Sequence, residues 1–459
     1  SVDLNTHYEY TGTQIQIDDN LSYAKSTMNH KDVMYAAEDG SGSGCEPVTD
    51  SCNFNDIDGA NSLRYRAYYP KKTIHDYNSK RLPVIVLFHG GGFQECTDYK
   101  QIIMKTLCEE FSGKGFIAFT VEYRRARVTD TINTLFVSVQ EQLALYRAQQ
   151  DGRGFIRSIM KKQIEDLEND TWDYIFDTDQ FFIGGVSSGG VIAMGCAYYR
   201  TPGLTTQTMV NSVFPKGTGT LDIWDSTVLG PVHADYYYGE VDEAYWPNIA
   251  GVLNLWGGLP IPKSYDDDEA SFFSVADDHA NPPLIAFHGY LDDTVDFKDN
   301  AKQDVKFSKL PMTGDPGYNS ESFCLNSTVS YTVAAFHNPT PGPLVKRCSS
   351  LNMYKTLKEL NRYAELYYDC QADHGLGTTC DYGIGNTNNT VVTKYIVQRA
   401  ANFFQVIMNN TAPVAFGITE RSVFRDCQNF RNLGSTVTDA SGCTDLPDDA
   451  YKKCIELEE

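Results

Sequence analysis

Short apolar runs alternate with longer, more polar segments through the middle of the chain. Each run has the length of a strand and is bounded by Gly, Pro or Asp, which is typical of strands buried on both faces of a parallel sheet. The runs lie at residues 84–88, 116–123, 181–185, 252–256, 284–288 and 364–368. Because helical patterns separate several of them, the chain is predicted to form an α/β fold with a doubly wound, mostly parallel sheet.

Three of the intervening segments predict helices. Residues 143–162 predict one long helix, weakened at Gly152 and Gly154 because glycine disfavours a helix interior. Shorter helices are predicted over residues 352–362 and 392–408. The last helix places its apolar residues along one stripe: Ile396, Ala400, Phe403, Phe404 and Ile407. Such a stripe indicates a helix that packs one face on a sheet.

The start of the chain follows a different pattern. In residues 63–69 apolar and polar side chains alternate with a period of two, which predicts a half-buried strand. We therefore interpret residues 1–80 as a β-rich N-terminal segment that belongs to the same domain as the α/β core, which is predicted over residues 81–410.

Two insertions and a tail do not fit the alternation of strand and helix. Residues 201–250 are rich in Trp and Tyr and are expected to form a lid-like insertion over the site. Residues 301–350 are rich in Pro, Gly, Asn and Ser and form a second insertion. Residues 411–459 are predicted to be a Cys-rich C-terminal extension.

Composition and charge narrow the class of protein. The 459-residue chain is 41% hydrophobic and 21% charged. Its longest apolar runs fall far short of the roughly 20 residues needed to cross a bilayer, so no membrane span is predicted. The formal net charge of −22 would repel nucleic acid and anionic membranes, which excludes both as expected partners.

The number of cysteines indicates the redox environment of the protein. Twelve cysteines are many for a cytosolic protein and favour an oxidising environment. The chain begins at Ser1 rather than Met, as expected after removal of a signal peptide, so we expect an extracellular or periplasmic protein. Sequons for N-glycosylation occur at Asn20, Asn169, Asn326, Asn388 and Asn409.

The sequence predicts neither a metal nor a cofactor. It has no CxxC pair that would suggest zinc, and no dinucleotide fingerprint or Walker loop. Residues 53–59 carry oxygen-bearing side chains but lack the glycine spacing of a calcium loop.

A candidate nucleophile lies in residues 185–189, Gly-Val-Ser-Ser-Gly, between an apolar strand and the start of a helix. A glycine-flanked serine in this context is typical of a nucleophile elbow, a strained strand-to-helix turn in which bulky neighbours would collide. Ser188 is the rival, but its flanking positions, Val186 and Gly190, break the spacing. We expect Ser187 to be the nucleophile and Ser188 to contribute its backbone N–H.

A second glycine-rich run, at residues 89–92, directly follows the first buried strand. Consecutive glycines let the main chain approach a ligand closely, and backbone N–H groups there stabilise an oxyanion formed in acyl transfer. His89 stands at the end of the strand, where a structural hydrogen bond is expected rather than the role of a base.

An acid and a base follow the serine in the chain order Ser, Asp, His. Asp292 comes just after the strand at 284–288, and a carboxylate there would orient an imidazole and stabilise its charged form. The adjacent Asp293 is an alternative, although it has the pattern of a turn or helix cap. His374 follows the last predicted strand and precedes a glycine, whereas His337 lies in a Pro-rich insertion.

The loop that carries His374 is bracketed by Cys370 and Cys380. We predict that these two cysteines form a disulfide that holds the loop against the sheet. Cys324 and Cys348 are alternative partners, because connectivity cannot be deduced from sequence.

These motifs resemble those of the α/β-hydrolase serine esterases, nearest to the hormone-sensitive-lipase-like and secreted bacterial carboxylesterases. The resemblance is carried by HGGGF, GVSSGG, HGYLDD and DHG, and by the run YRAQQD at residues 146–151. It covers residues 63 to 408. Many relatives carry an acidic residue where Val186 stands here, and the two insertions and the tail have no matching counterpart.

The resemblance implies an α/β-hydrolase fold and named site residues. The implied triad is Ser187, His374 and Asp292, and the implied oxyanion donors are Gly91, Gly92 and Ser188. With the cysteine usage, the resemblance leads us to expect a secreted serine carboxylesterase that acts on a small-molecule or polymer ester. The Trp- and Tyr-rich insertion at 201–250 favours aromatic, polysaccharide-linked or polyester substrates. A peptidase of the same fold and a catalytically silent recognition module are the alternatives. The oligomeric state is left open.

Overall fold

The computed structural model of the chain describes most of the predicted α/β core. It covers residues 15–26, 61–70, 81–93, 101–123, 134–199, 245–262, 281–289, 292, 295, 345–369, 374–375 and 390–409. Most of both predicted insertions and the whole tail at 411–459 lie outside these residues, and so do Cys370 and Cys380. The domain boundaries and the proposed disulfide therefore stay predictions.

Strands and helices alternate through the described residues. The strands are β1 Ile15–Ser26, β2 Asn61–Pro70, β3 Leu82–Phe88, β4 Ile117–Val121, β5 Phe176–Val186, β6 Ile249–Leu255, β7 Leu259–Pro262, β8 Leu284–Gly289, β9 Val345–Cys348 and β10 Ala364–Asp369. The helices are α1 Ile102–Gly113, α2 Thr134–Asn169, α3 Ser188–Tyr198, α4 Ser350–Glu359 and α5 Thr390–Met408.

One large sheet organises the fold. Its strands lie in the order β1-β2-β4-β3-β5-β6-β8-β10. β2 pairs antiparallel with both β1 and β4, and every other neighbouring pair from β4 to β10 is parallel. The predicted doubly wound, mostly parallel sheet of an α/β-hydrolase fold is thus confirmed.

The sheet is buried because both of its faces are covered by helices. In β3, Val84, Val86 and Phe88 belong to the core on one face, and Ile85 and Leu87 to the core on the other. Helices α2, α3 and α4 pack on the first face, and α1 and α5 on the second. Burial on both faces explains why these strands are continuous apolar runs rather than alternating ones.

The long helix differs from its predicted bounds. The sequence predicts residues 143–162, weakened by two glycines, whereas α2 runs unbroken from Thr134 to Asn169. Gly152 instead allows a close approach between helices, since a Cβ there would stand 2.9 Å from Cγ2 of Ile192 in α3. Tertiary packing on the sheet therefore outweighs the low helix propensity of glycine.

The ends of the two predicted insertions belong to regular structure. Residues 249 and 250 lie in β6, and β9 pairs antiparallel with β7 in a separate two-stranded sheet. Helix α4 begins at Ser350, where the side chain of Ser349 accepts a hydrogen bond from the backbone N–H of Asn352. Of the helices described, none is both long and apolar enough to span a membrane.

Candidate active site

The predicted nucleophile lies at the carboxyl end of β5, in the sharp turn that leads into α3. Ser187 has φ 54° and ψ −118°, a conformation that side-chain-bearing residues rarely adopt. Its backbone N–H donates to Leu255 O at 2.8 Å, and its carbonyl accepts from Val191 N at 3.2 Å. Such strain costs on the order of 1–3 kcal/mol and persists only where the surroundings enforce it. The elbow expected from the sequence is present.

The glycines on either side of the serine are required by close backbone contacts. A Cβ on Gly185 would lie 2.2 Å from the carbonyl carbon of Gly189. A Cβ on Gly189 would lie 2.0 Å from Phe88 O, at the end of β3. Any larger residue at either position would therefore push α3 away from the sheet and move Ser187.

Helix α2 holds α3 in place through buried polar side chains, one of which, Gln149, belongs to the YRAQQD run at residues 146–151. Gln149 Nε2 donates to Val191 O at 3.3 Å and to Ile192 O at 3.2 Å. The guanidinium of Arg153 donates to Gly195 O at 2.7 Å and lies 5.3 Å from the ring centre of Trp246. These buried polar contacts fix the helix whose first residue follows the nucleophile.

The three residues of the predicted triad come together although they are far apart in sequence. His374 Nε2 lies 2.8 Å from Ser187 Oγ, and His374 Nδ1 lies 2.7 Å from Asp292 Oδ2. Each residue follows a different strand, and the carboxyl ends of parallel strands share one edge of the sheet. In this geometry Nδ1–H donates to the carboxylate, and Nε2 is the nitrogen that faces the hydroxyl of Ser187 and can accept its proton.

Asp292 is held as a carboxylate by several donors. Its Oδ1 accepts from Val295 N at 2.8 Å, and its Oδ2 accepts from both His374 and His288. Burial alone would raise the pKa of this carboxyl, but hydrogen bonds from His288 and His374 outweigh burial and hold the pKa well below its usual range. The rival Asp293 lies outside the described residues.

The predicted oxyanion loop lies beside the elbow. A Cβ on Gly90 would stand 3.4 Å from Ser187 Cβ and 3.2 Å from Val186 O. Gly91 and Gly92 follow with φ values of 113° and 59°, in the left-handed region that favours glycine. The N-terminus of α3, which starts at Ser188, carries a partial positive charge at the same edge of the sheet.

His89 has the structural role that its position suggests. It is fully buried, and its Nδ1 lies 2.7 Å from Gly90 O. Its ring stacks on that of Tyr123, with centroids 4.3 Å apart and an interplanar angle of 14°.

Tyr123 is a residue of the site that sequence reasoning missed. Its hydroxyl donates to His89 O at 2.8 Å and lies 3.0 Å from Ser188 Oγ. Because a phenol has one hydrogen to donate and the carbonyl accepts it, Ser188 must be the donor to the tyrosine oxygen. Tyr123 therefore links the glycine-rich loop after β3 to Ser188, the residue after the predicted nucleophile.

His288 was also missed as a member of the site, although it stands in the same HGYLDD run as Asp292. The only available signal was its position at the end of a buried strand, four residues before the predicted acid. Nothing in the local pattern indicated that its side chain would face the carboxylate.

Comparison with known proteins agrees with the resemblance drawn from the motifs. No model of a known protein family matches the chain. A segment of 65 residues, 14% of this chain, is 38% identical to Probable carboxylesterase 1 of Arabidopsis thaliana and covers 20% of that protein. Probable carboxylesterase 13 of the same plant is 38% identical over 68 residues, which are 14% of this chain and 21% of that one.

Solved structures give a broader but weaker likeness. The apo form of Thermogutta terrifontis esterase 2 is 16% identical and covers 77% of this chain and 92% of its own, with a TM-score of 0.41. A propionate-bound form of the same esterase is 17% identical, and the match covers 78% of this chain and 93% of the esterase, with a TM-score of 0.39.

The chain thus spans about a fifth of the length of the plant relatives it matches. The resemblance to serine esterases of the α/β-hydrolase type is confirmed, while the nearer placement among the hormone-sensitive-lipase-like and secreted bacterial carboxylesterases stays a prediction.

Proposed function

We propose that the protein is a serine hydrolase that cleaves carboxylic esters through an acyl-enzyme, with Ser187, His374 and Asp292 as its triad. The observation that carries this proposal is the unbroken hydrogen-bonded series from Ser187 Oγ through His374 to Asp292, with contacts of 2.8 and 2.7 Å. The strained elbow supports it, because such a turn lifts a hydroxyl out of its surroundings.

The acylation step follows from this series. His374 Nε2 takes the proton of Ser187 as Oγ attacks the ester carbonyl carbon, and the C=O electron pair moves onto the carbonyl oxygen. The oxyanion is held by the backbone N–H groups of Gly91, Gly92 and Ser188, each donor contributing about 3 kcal/mol in comparable sites. When the intermediate collapses, His374 returns the proton to the leaving alkoxide, and the alcohol departs.

Deacylation repeats the same roles with water. His374 takes a proton from a water molecule, the hydroxide attacks the acyl carbon, and Ser187 leaves with the proton that His374 returns. Asp292 stays ionised throughout and stabilises the imidazolium that forms at each step.

The substrate class is a further part of the proposal. The names of the plant relatives support a carboxylic ester, and the net charge of −22 disfavours a strongly anionic substrate. The Trp- and Tyr-rich residues 201–250 favour aromatic or sugar-bearing esters, polyesters included, because aromatic side chains stack on such groups. The twelve cysteines and five sequons favour a secreted protein.

Two alternatives make different predictions. A peptidase of the same fold would cleave peptide bonds rather than esters. A silent recognition module would lack turnover, and such modules lose a triad member that this chain retains.

An ester series separates these possibilities. The wild-type protein should hydrolyse p-nitrophenyl esters with a preference for one acyl length, while Ser187→Ala should be inactive at every length. A fluorophosphonate probe should label wild-type Ser187, located by mass spectrometry of its peptide, and should not label the alanine variant. Labelling of another residue, or turnover that survives Ser187→Ala, would contradict the proposed triad.

A further inference from the structure

His288 is a second histidine on the Asp292 carboxylate, and the reaction scheme leaves it unused. It lies in β8 and is fully buried. Its Nε2 lies 3.0 Å from Asp292 Oδ2 and 2.8 Å from Val295 O. A carbonyl oxygen and an ionised carboxylate only accept hydrogen bonds, so Nε2 must carry a hydrogen.

The hydrogen-bonding role of the other ring nitrogen, His288 Nδ1, is determined by a series of hydrogen bonds that begins at the backbone of Gly257. Gly257 N donates to Asn254 Oδ1 at 2.9 Å, and Asn254 Nδ2 donates to Gly257 O at 3.1 Å. Because the backbone supplies one donor and one acceptor, the amide of Asn254 has only one satisfying orientation. Its Nδ2 therefore also donates to Ser350 Oγ, at 2.9 Å.

The hydroxyl of Ser350, at the start of α4, determines whether His288 Nδ1 donates or accepts a hydrogen bond. Having accepted a hydrogen from Asn254, its hydroxyl donates either to His288 Nδ1 at 2.7 Å or to Gly257 O at 3.3 Å. The shorter contact is the stronger one, so Nδ1 accepts and the imidazole is the neutral tautomer with its hydrogen on Nε2. Asn254, Ser350 and His288 are all fully buried, so bulk water does not compete for these bonds.

We propose that His288 is a positioning residue that holds the Asp292 carboxylate in the orientation His374 needs, with Asn254 and Ser350 fixing its tautomer. The inference rests on the proposed function, because it assigns His288 to the same triad. Rotation of the carboxylate about its Cβ–Cγ bond would carry Oδ2 away from His374 Nδ1. The single Nε2–H of His288 is shared between Val295 O, at 2.8 Å, and Asp292 Oδ2, at 3.0 Å. Its contact with Oδ2 opposes the rotation, while Val295 N holds the other oxygen.

A matched pair of variants tests this role. Gln and Met have similar length and volume, but only Gln presents an N–H near the position of His288 Nε2. In His288→Met, kcat should fall about 10- to 100-fold, as expected when a donor to a charged group is lost, with KM changed less than about threefold. In His288→Gln, kcat should stay within about threefold of the wild type. The kcat of Ser350→Ala should lie between those of His288→Gln and His288→Met.

A spectroscopic measurement supplies a readout that does not depend on turnover. The Nδ1–H between His374 and Asp292 should give a strongly deshielded proton resonance in wild-type protein and in His288→Gln. In His288→Met this resonance should shift or broaden, because the carboxylate is no longer restrained. In ¹⁵N-histidine-labelled wild-type protein, His288, identified by the signals lost in the Gln variant, should show the neutral Nε2–H tautomer.

Each outcome decides between two claims. The inference is overturned if His288→Met keeps the wild-type kcat and leaves the His374 Nδ1–H resonance unchanged. It is also overturned if the Met and Gln variants lose equal activity and neither changes that resonance, because His288 is then only structural. If the Met variant does not fold, an Nδ1–H tautomer or a charged ring at wild-type His288 overturns it instead, and the neutral Nε2–H tautomer supports it. A wild-type protein that hydrolyses no ester, yet shows the resonance shift on His288→Met, overturns the proposed function and leaves the positioning of Asp292 intact.

Discussion

Tyr123 and Ser188, 65 positions apart, are joined by a hydrogen bond of 3.0 Å between their hydroxyl groups. Tyr123 also donates to His89 O, so one buried phenol links the glycine-rich loop after β3 to the first residue of α3. The two proposed sources of oxyanion donors are thereby held at a fixed distance from each other.

Removing this link should slow catalysis without unfolding the protein. Tyr123→Phe keeps the ring that stacks on His89 and deletes only the hydroxyl, so we expect a loss of up to about tenfold in kcat, equivalent to roughly 1.4 kcal/mol. The measurement is steady-state kinetics on an ester substrate, with thermal unfolding as the control for stability. An unchanged kcat would show that the loop holds its geometry without the phenol.

Ser187 and Ser188 should respond differently to alanine. Ser187→Ala removes the proposed nucleophile and should lower kcat by about 10⁴-fold or more. Ser188→Ala deletes only the hydroxyl that donates to Tyr123 and keeps the backbone N–H, so it should retain most activity, with a loss within about fivefold. In the double variant Ser188→Ala/Tyr123→Phe, the increase in activation free energy should be smaller than the sum of the increases in the two single variants, because both changes delete the same hydrogen bond. The opposite ranking of Ser187 and Ser188 would mean that the elbow is assigned wrongly.

The pH dependence should report one histidine and no carboxylate. The pKa of Asp292 is held below its usual range, so the carboxylate stays ionised at every pH above that lowered value. Its contribution to stability is complete above the unfolded-state pKa, about 4, and is lost only as the pH falls from there toward the folded-state value. The acidic limb of kcat/KM should therefore be a single-proton transition of the proposed base, rather than a two-proton transition that includes Asp292. An acidic limb with the slope of two protons would contradict this expectation.

Two glycine substitutions should have opposite effects on stability. A Cβ on Gly189 would lie 2.0 Å from Phe88 O, so Gly189→Ala should lower the free energy of unfolding by more than about 3 kcal/mol. Gly113 ends α1 with no atom within 4 Å of a built Cβ, so Gly113→Ala should be neutral or stabilising by up to about 1 kcal/mol. Urea denaturation followed by circular dichroism compares the two. Equal midpoints would contradict the packing of the elbow against β3.

The disulfide predicted between Cys370 and Cys380 has a direct chemical test. Closing a loop of this length should stabilise the protein by roughly 2 to 3 kcal/mol and restrain the segment that carries His374. Peptide mapping under non-reducing conditions should find the two cysteines in one linked fragment. A fragment that joins Cys370 to any other cysteine ends the idea.

Sequence alone determined the elements that depend on neighbouring residues. The buried strands, the Gly-x-Ser-x-Gly turn at Ser187 and the glycine run after β3 were predicted because apolar runs and glycines encode local conformation directly. The order of serine, acid and base also follows from the chain. The bounds of α2 do not follow from the sequence, because packing against α3 and the sheet stabilises helical residues whose intrinsic helix propensity is low.

Only the tertiary structure decided which side chains meet. Ser187 and His374 are 187 positions apart, and His288 and Ser350 are 62 apart, yet each pair is within hydrogen-bond distance. Parallel pairing brings the ends of β5, β8 and β10 to one edge of the sheet, and that convergence has no local signature in the sequence. The places of Tyr123 and His288 in the site therefore followed from the fold, because a hydrogen bond depends on distance and direction in space rather than on position along the chain.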